Sequence, residues 1–439
     1  MKKIITESIC NKCLKTIPAV KYEKDGNIFL EKECPEHGGF ISKIAKDPKR
    51  FFDKTFSSET KPFSPITHYS GNCGKDCGWC EKHEQHICTG LIEITENCNL
   101  NCPICYFGNK TNNNISLEEF KKRIQNLLDI ENGHLDILQI SGGECTIHPE
   151  FCEFLDAALK FDIRRIVINT NGLAFLNNEK IFEKIKSLNE KLDIYLQFDG
   201  FDDEVYKVLR GRPLLKEKLE IINKLNDANV KMHLAATIYK ENLKEIPKIL
   251  KFATEIKHIS GITFQRMTKV GSAFGTSVES VFQEDILLAM AKSEFLTYED
   301  IIPLPCSHEN CTSLAFLLCS KDKVLSLADY VDYKNLKPAI SNRLVFDNTV
   351  LDYLKDNVCS CFIGKMFGNS AVLDALKQFS RTKLTTNEDM KIIRLVVKNF
   401  MDIENFDWER ARKCCTAVAV GNDRVIPFCV NNNLKGKIL

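Results

Sequence analysis

The sequence has no uninterrupted apolar run of the roughly 18 residues that a membrane-spanning helix requires, and its opening, MKKIITESIC, lacks the apolar stretch of a secretory signal. A cytoplasmic location is therefore expected. Charge imbalance is also missing: 60 Lys and Arg face 59 Asp and Glu, a formal charge of +1. A nucleic-acid partner is not expected, because it would need a basic footprint. Repeats at a solenoid period and low-complexity tracts are absent as well. What remains is a chain of 439 residues, 44% hydrophobic, long enough for one large domain with smaller modules.

Against these absences stand twenty cysteines. Cytosolic thiols are kept reduced, so this number does not point to structural disulfides. The thiols also come in short-spaced sets, Cys10/Cys13, Cys73/Cys77/Cys80/Cys88, Cys98/Cys102/Cys105 and Cys414/Cys415/Cys429. Scattered core cysteines would not cluster in this way. Soft thiolates at such spacing indicate zinc or iron-sulfur chemistry.

Residues 1–50 read as a metal-stapled ribbon: SICNKC, two strand-like segments about a KDGN turn, then CPEHGG. Cys10, Cys13, Cys34 and either His37 or a further group are its candidate ligands, for zinc or a single iron, since so short a module has little core of its own. Residues 51–90 carry few apolar repeats and hold GNCGKDCGWCEKHEQHIC. From 91 to 290, short apolar strands at 91–95, 135–141, 165–170, 192–198, 230–236 and 261–265 alternate with amphipathic helical stretches. That rhythm predicts parallel strands with right-handed crossovers, an α/β fold closing into a partial six-unit barrel. Residues 291–439 lose it. They read as a cysteine-containing cap with a helical NEDMKIIRLVVKNF and a closing hairpin, KCCTAVAVGNDRVIPFC, turning at GND.

ENCNLNCPICY puts Cys98, Cys102 and Cys105 directly after the first barrel strand. Cubane clusters usually take four thiolates. Three leave one iron open to a chelating cofactor, and strand C-termini are where such barrels do their chemistry. SGGEC follows the second strand, NTNG the third and QFDG the fourth. Glycines permit close backbone approach, and a carboxylate complements an ammonium. This constellation resembles the radical S-adenosylmethionine (SAM) superfamily over residues 91–290. The resemblance implies a SAM-binding 4Fe-4S cluster on Cys98, Cys102 and Cys105, followed by the aromatic Tyr106. It further implies SAM contacts at Gly142, Gly143 and Glu144, with Asn171 and Gln197 toward the adenosine and ribose. The implied reaction cleaves SAM reductively to a 5'-deoxyadenosyl radical, with electrons from a donor such as ferredoxin or flavodoxin.

Cys73, Cys77, Cys80 and Cys88 make a complete four-thiolate set for a closed auxiliary cluster, with zinc the other metal it could hold. His83 and His86 beside them read as ordinary polar loop residues. The order CxxC, CPEHG, CGKDCGWCEKHEQHIC, then the triad, with CC and PFC near the end, resembles the archaeal tetraether lipid synthases and their bacterial relatives, a group also linked to pterin methylation. By that resemblance Cys306, Cys311, Cys414 or Cys415, and Cys429 hold a second auxiliary cluster. Cys359 and Cys361 are spaced too tightly for a shared site and read as buried thiols.

The most specific expectation is therefore radical C–C coupling of lipid hydrocarbon chains, which would bring peripheral contact with the inner membrane surface and a tunnel that LAFLLC (314–319) could line. The alternatives are methylation of a pterin-like heterocycle or modification of a peptide. No D-x-H-x-x-G cobalamin signature is present, which weighs against a cobalamin-dependent methylase. A non-catalytic carrier of several clusters would have no use for the SAM motifs.

Overall fold

Asp25 and Gly26 of the KDGN turn both adopt positive φ, 50° and 70°, the backbone that a tight hairpin between twisted strands demands. That turn sets the register of the N-terminal ribbon, an antiparallel meander of β1 (Lys3–Ile9), β2 (Thr16–Lys24), β3 (Asn27–Cys34) and β4 (Gly38–Ala45). The computed structural model describes residues 2–69, 71, 73, 77–108, 112–320, 323–329, 331–344 and 390–434. Cys359 and Cys361 lie outside them.

The ribbon is fastened by lysines that its short core buries. Lys21, only 2% exposed, donates to Asp407 Oδ2 at 2.8 Å and to Glu409 Oε2 at 2.6 Å. Burial opposes its charge, but Asp407 and Glu409 outweigh that and raise its pKa. Lys32 Nζ donates to the carbonyls of Ile9 at 3.0 Å and Ile403 at 2.6 Å. Both lysines thus bind the ribbon to the C-terminal part of the chain.

Six parallel strands follow: β5 (Thr89–Glu93), β6 (Leu135–Ser141), β7 (Ile163–Thr170), β8 (Leu192–Gln197), β9 (Met232–Ile238) and β10 (Ile259–Arg266). They fall within a few residues of the six expected stretches, with helices such as Leu117–Ile130 and Leu215–Asp227 between them. Ser116 caps the first of these, its side chain accepting from Glu119 N at 3.2 Å. Strand alternation then divides the residues cleanly. Leu138, Ile140, Ile166, Ile168, Ile194, Leu196, Leu234 and Ile262 pack in the main core, while Gln139, Asn169, Tyr195, Gln197, His233 and Thr263 line the barrel cavity.

The region beyond residue 290 enters the same sheet at both edges. On one side lie β11 (Ile302–Pro303), β12 (Thr312–Ser320), β13 (Val324–Ser326) and β14 (Met390–Lys398), with β14 parallel to β10 and antiparallel to β12. On the other, β15 (Thr416–Ala419) runs parallel to β5 and turns into β16 (Val425–Pro427). The hairpin at GND is as expected. The helix expected over NEDMKIIRLVVKNF is instead β14, because its paired β-branched residues suit a strand enclosed by two neighbours. LAFLLC lies in β12, buried on both faces, and only Leu314 of it reaches the cavity. Among the described residues, no helix is long and apolar enough to cross a membrane.

Replacing Lys21 by Ala leaves Asp407 and Glu409 without their buried cation. Urea unfolding should show a loss of about 3 kcal/mol, with Lys21→Arg losing less; an unchanged midpoint would mean that the ribbon does not depend on this pair.

Candidate active site

Cys98, Cys102 and Cys105 sit on the loop that leaves β5 and face one cavity of about 350 Å³, within the usual size range for ligand pockets. Two backbone bonds shape the loop's entry: Gly143 N donates to Thr95 O at 2.7 Å and Glu144 N to Asn97 O at 2.8 Å. A Cβ on Gly142 would collide with Thr95 O, and one on Gly143 with Asn97 O. The loop's exit is gripped by Ser272 N, which donates to Cys105 O at 2.8 Å, while Gly271 leaves no room for a side chain against Cys105 and Tyr106. Both ends of the cysteine loop are therefore fixed by glycine-only contacts.

Glu144 is 2% exposed and joins two motifs. Its Oε1 accepts from the hydroxyls of Thr146 and Thr170, each at 2.5 Å, and its Oε2 from Asn171 N at 2.7 Å. Both oxygens thus already serve protein donors. Asn171 Nδ2 in turn donates to Asn99 Oδ1, inside the cysteine loop, at 2.7 Å. Gln197 lines the cavity with Oε1 buried and unpartnered, while its amide nitrogen donates to Asp199. Tyr106 meets Phe400 and Phe428 edge-on at 6.3 and 6.1 Å, and burial pushes its phenol well above the ordinary range.

Three thiols on the wall of one cavity fit a cubane with one open iron. Leu100 N, 3.4 Å from Cys98 Sγ, supplies the N–H···S bond that such thiolates accept. The orphaned Gln197 Oε1 fits a hydroxyl donor such as a ribose. The residues present therefore suit a cluster and SAM.

Cys10, Cys13, Cys34 and His37 converge with their ligand atoms within 4.8 Å of one another. Burial works against the Cys10 thiolate, but the amides of Cys13 and Lys12 and the neighbouring thiols outweigh it and hold its pKa at about 6. A thiol so lowered is ready to bind a soft metal.

The other cysteines group differently from their order in sequence. Cys73, Cys77 and Cys80 share a small pocket beside Trp408 and Arg412. Cys88 does not close that set: it lies with Cys306 and Cys415, ligand atoms within 4.8 Å, its sulfur against that of Cys306. Burial pushes Cys429 up to about 12, with Cys414 and Cys311 adding to the shift. Arg410 Nε donates to Cys311 Sγ at 3.3 Å. His83 and His86 are buried rather than solvated. His83 packs on Trp79 at 3.9 Å and bonds Cys414 O, while His86 pairs with Glu131 at 2.9 Å. Contacts made across hundreds of residues decide these groupings, and local spacing carries none of that information.

Sequence reasoning passed over several cavity residues. Tyr195 and His233 stack at 5.3 Å, with Gln265 Nε2 donating to Tyr195 Oη at 2.7 Å and His233 Nε2 2.7 Å from Thr263 Oγ1. Gly261 makes room for that His233 ring. Arg394 and Lys398 of β14 line the same cavity. Tyr195 shares strand parity with Gln197, and that signal was legible. Arg210, also on the cavity, grips Asp199 with two bonds of 2.7 Å.

Residues 92–253 match the radical SAM superfamily, and residues 5–46 match the HMPTM N-terminal zinc ribbon domain. The chain is 27% identical to 7,8-dihydro-6-hydroxymethylpterin dimethyltransferase of Methanocaldococcus jannaschii, over 98% of this chain and 93% of that one. It is 31% identical to the antilisterial bacteriocin subtilosin biosynthesis protein AlbA of Bacillus subtilis, over 35% of this chain and 34% of that one. Among solved structures, Streptococcus suis SuiB bound to S-adenosylmethionine aligns at a TM-score of 0.41 with 18% identity, over 46% of each chain.

Gly143→Ala should displace the cysteine loop, so anaerobically reconstituted protein should bind fewer irons than wild type by chemical assay; a full complement would contradict the close-approach reading. Cys34→Ser should lower the metal bound by the ribbon, measured by elemental analysis, without lowering the acid-labile sulfide content.

Proposed function

From a radical SAM domain over residues 92–253 and a zinc ribbon ahead of it, we propose that this protein uses SAM to functionalise an unactivated carbon of a small, polar, ring-shaped substrate, with methylation of a pterin-like heterocycle as the specific form. When bound, the cluster and SAM supply the 5'-deoxyadenosyl radical that takes the hydrogen. Cys98, Cys102 and Cys105 would hold the cluster, and Gly142, Gly143, Glu144, Asn171 and Gln197 would surround SAM. Auxiliary clusters on the sets Cys73/Cys77/Cys80, Cys88/Cys306/Cys415 and Cys311/Cys414/Cys429 form part of the proposal, as does a low-potential donor of the ferredoxin or flavodoxin class.

The observation that carries the substrate class is the wall of the cavity. Glu93, Gln139, Tyr195, His233, Gln265, Arg394 and Lys398 all face it. Tyr195 pairs with Gln265, His233 with Thr263, Arg394 with Leu344 O and Lys398 with Thr312, and a wall carrying these polar groups among apolar ones suits a ligand with polar edges better than a hydrocarbon chain, which offers them no hydrogen bond. A heterocycle edged with donors and acceptors satisfies them instead. LAFLLC, the stretch that could have lined a lipid tunnel, is core apart from Leu314. The pterin dimethyltransferase, similar over nearly the whole of both chains, supports the same choice. The chain's own residues then orient the ring, keep water from the radical and confine it beside the reacting carbon.

Anaerobic enzyme given SAM and dithionite should form 5'-deoxyadenosine. Cys98→Ala, Cys102→Ala and Cys105→Ala should each abolish it. Adding 7,8-dihydro-6-hydroxymethylpterin with a separate one-carbon donor, either further SAM or a reduced pterin carrying a one-carbon unit, should yield a product of higher mass by liquid chromatography and mass spectrometry. Coupled lipid chains in a host expressing the gene, with the pterin left unmodified, would overturn the substrate assignment in favour of lipids.

A further inference from the structure

In the sheet β14 lies beyond β9 and β10 from β8, and so apart from the strand ends that carry the SAM motifs. Strand alternation turns Arg394, Val396 and Lys398 to the cavity and Leu395 and Val397 to the core. Lys398 is the last residue of the strand, in register with Gln265 of β10 on one side and Thr312 of β12 on the other. It therefore stands at a C-terminal strand end, where barrels of this kind do their chemistry.

An ammonium has three protons to place and accepts nothing. Among the described residues that of Lys398 meets one acceptor, Thr312 Oγ1 at 3.2 Å, and no carboxylate. The cavity's other cations are held more fully. Arg210 grips both oxygens of Asp199, and Arg394 Nη1 donates to Leu344 O at 2.8 Å. Half-buried and facing the cavity, Lys398 thus keeps donors for whatever enters. Beside it the wall turns apolar: Phe400, two residues on, and Phe428 have ring centroids 4.7 Å apart, and both face the cavity. A flat ring with an oxygen on its edge fits a wall of two aromatic rings and one ammonium.

We infer that Lys398 is a specificity-determining residue, donating to a carbonyl oxygen on the edge of the substrate ring while Phe400 and Phe428 lie against the ring's face. The site then selects an oxo-substituted heterocycle over its amino analogue. A pterin carries such an oxygen on its pyrimidine ring. Exchanging it for an amino group sets donor against donor and leaves the ammonium unsatisfied. Sites built to hydrogen-bond one substrate edge reject the analogue that lacks it. No covalent bond is made or broken in this recognition.

The inference rests on the heterocycle reading above, and one experiment separates the two. Anaerobically reconstituted full-length enzyme with SAM is titrated by isothermal calorimetry with 7,8-dihydro-6-hydroxymethylpterin and with the analogue whose ring oxygen is an amino group, at a pH where both rings are neutral. Wild type that binds neither ring would remove the heterocycle reading and the inference with it. Where the oxo ring binds, wild type should hold it about thirtyfold more tightly than the analogue. Lys398→Met should weaken the oxo ring about tenfold and bring the two affinities to within a factor of about three. Lys398→Arg should keep most of the preference. Equal affinities in wild type, or an unchanged ratio in Lys398→Met, would overturn the inference and leave the heterocycle reading standing. So would weakened SAM binding at an unchanged ratio, which would assign Lys398 to SAM, and so would iron loss in both variants, which would make its role structural.

Discussion

Gly143 and Glu144 donate their amides to the carbonyls of Thr95 and Asn97, across a gap that no side chain fits. Most of the candidate site depends on this contact. It joins the end of β6 to the loop leaving β5 and so determines where Cys98 begins. Glu144 extends the link to the end of β7 through Thr170 and Asn171, and Asn171 returns it to Asn99 within the loop. Three strand ends and the cysteine loop thereby become one rigid unit. The glycines expected to approach a cofactor here approach backbone first, and the carboxylate expected to meet an ammonium already braces the frame.

A second constraint acts where the N-terminal ribbon meets the C-terminal part of the chain. Lys21 and Lys32 are buried in the joint between the ribbon and residues 403–409, where they meet carboxylates and carbonyls rather than water. Burying an ammonium is costly unless every proton finds an acceptor, so the joint tolerates little misalignment. Asp407, held by Lys21 and by Thr6, also caps the short helix Trp408–Arg412 that carries Arg410 to Cys311. The ribbon's metal site and the C-terminal cysteines are thus parts of one mechanical chain.

The six parallel strands were legible because each carries a short apolar run closed by a polar or glycine-containing turn, and the first four of those turns hold ENCNLNC, SGGE, NTNG and QFDG. Both hairpins were legible from KDGN and GND, where positive φ is required. The strand Met390–Lys398 was not, since an apolar run enclosed between two strands has no alternation to separate it from a buried helix. The partition of the auxiliary cysteines was hidden for another reason. Cys88, Cys306 and Cys415 come together from three distant parts of the sequence, and nothing in the spacing of any one of them records the others.

The cavity has walls of very different ages in the life of the chain. Most are laid down by β5 through β10, yet Arg394, Val396, Lys398, Phe400, Thr416 and Phe428 close it from the C-terminal end. Domains form as they leave the ribosome, amino-terminal parts first. A nascent chain therefore presents its cysteine loop to solvent for as long as the last strands are still to come. In the finished protein Cys98, Cys102 and Cys105 are half-buried, so the last strands narrow the approach to thiols that the earlier ones present more openly.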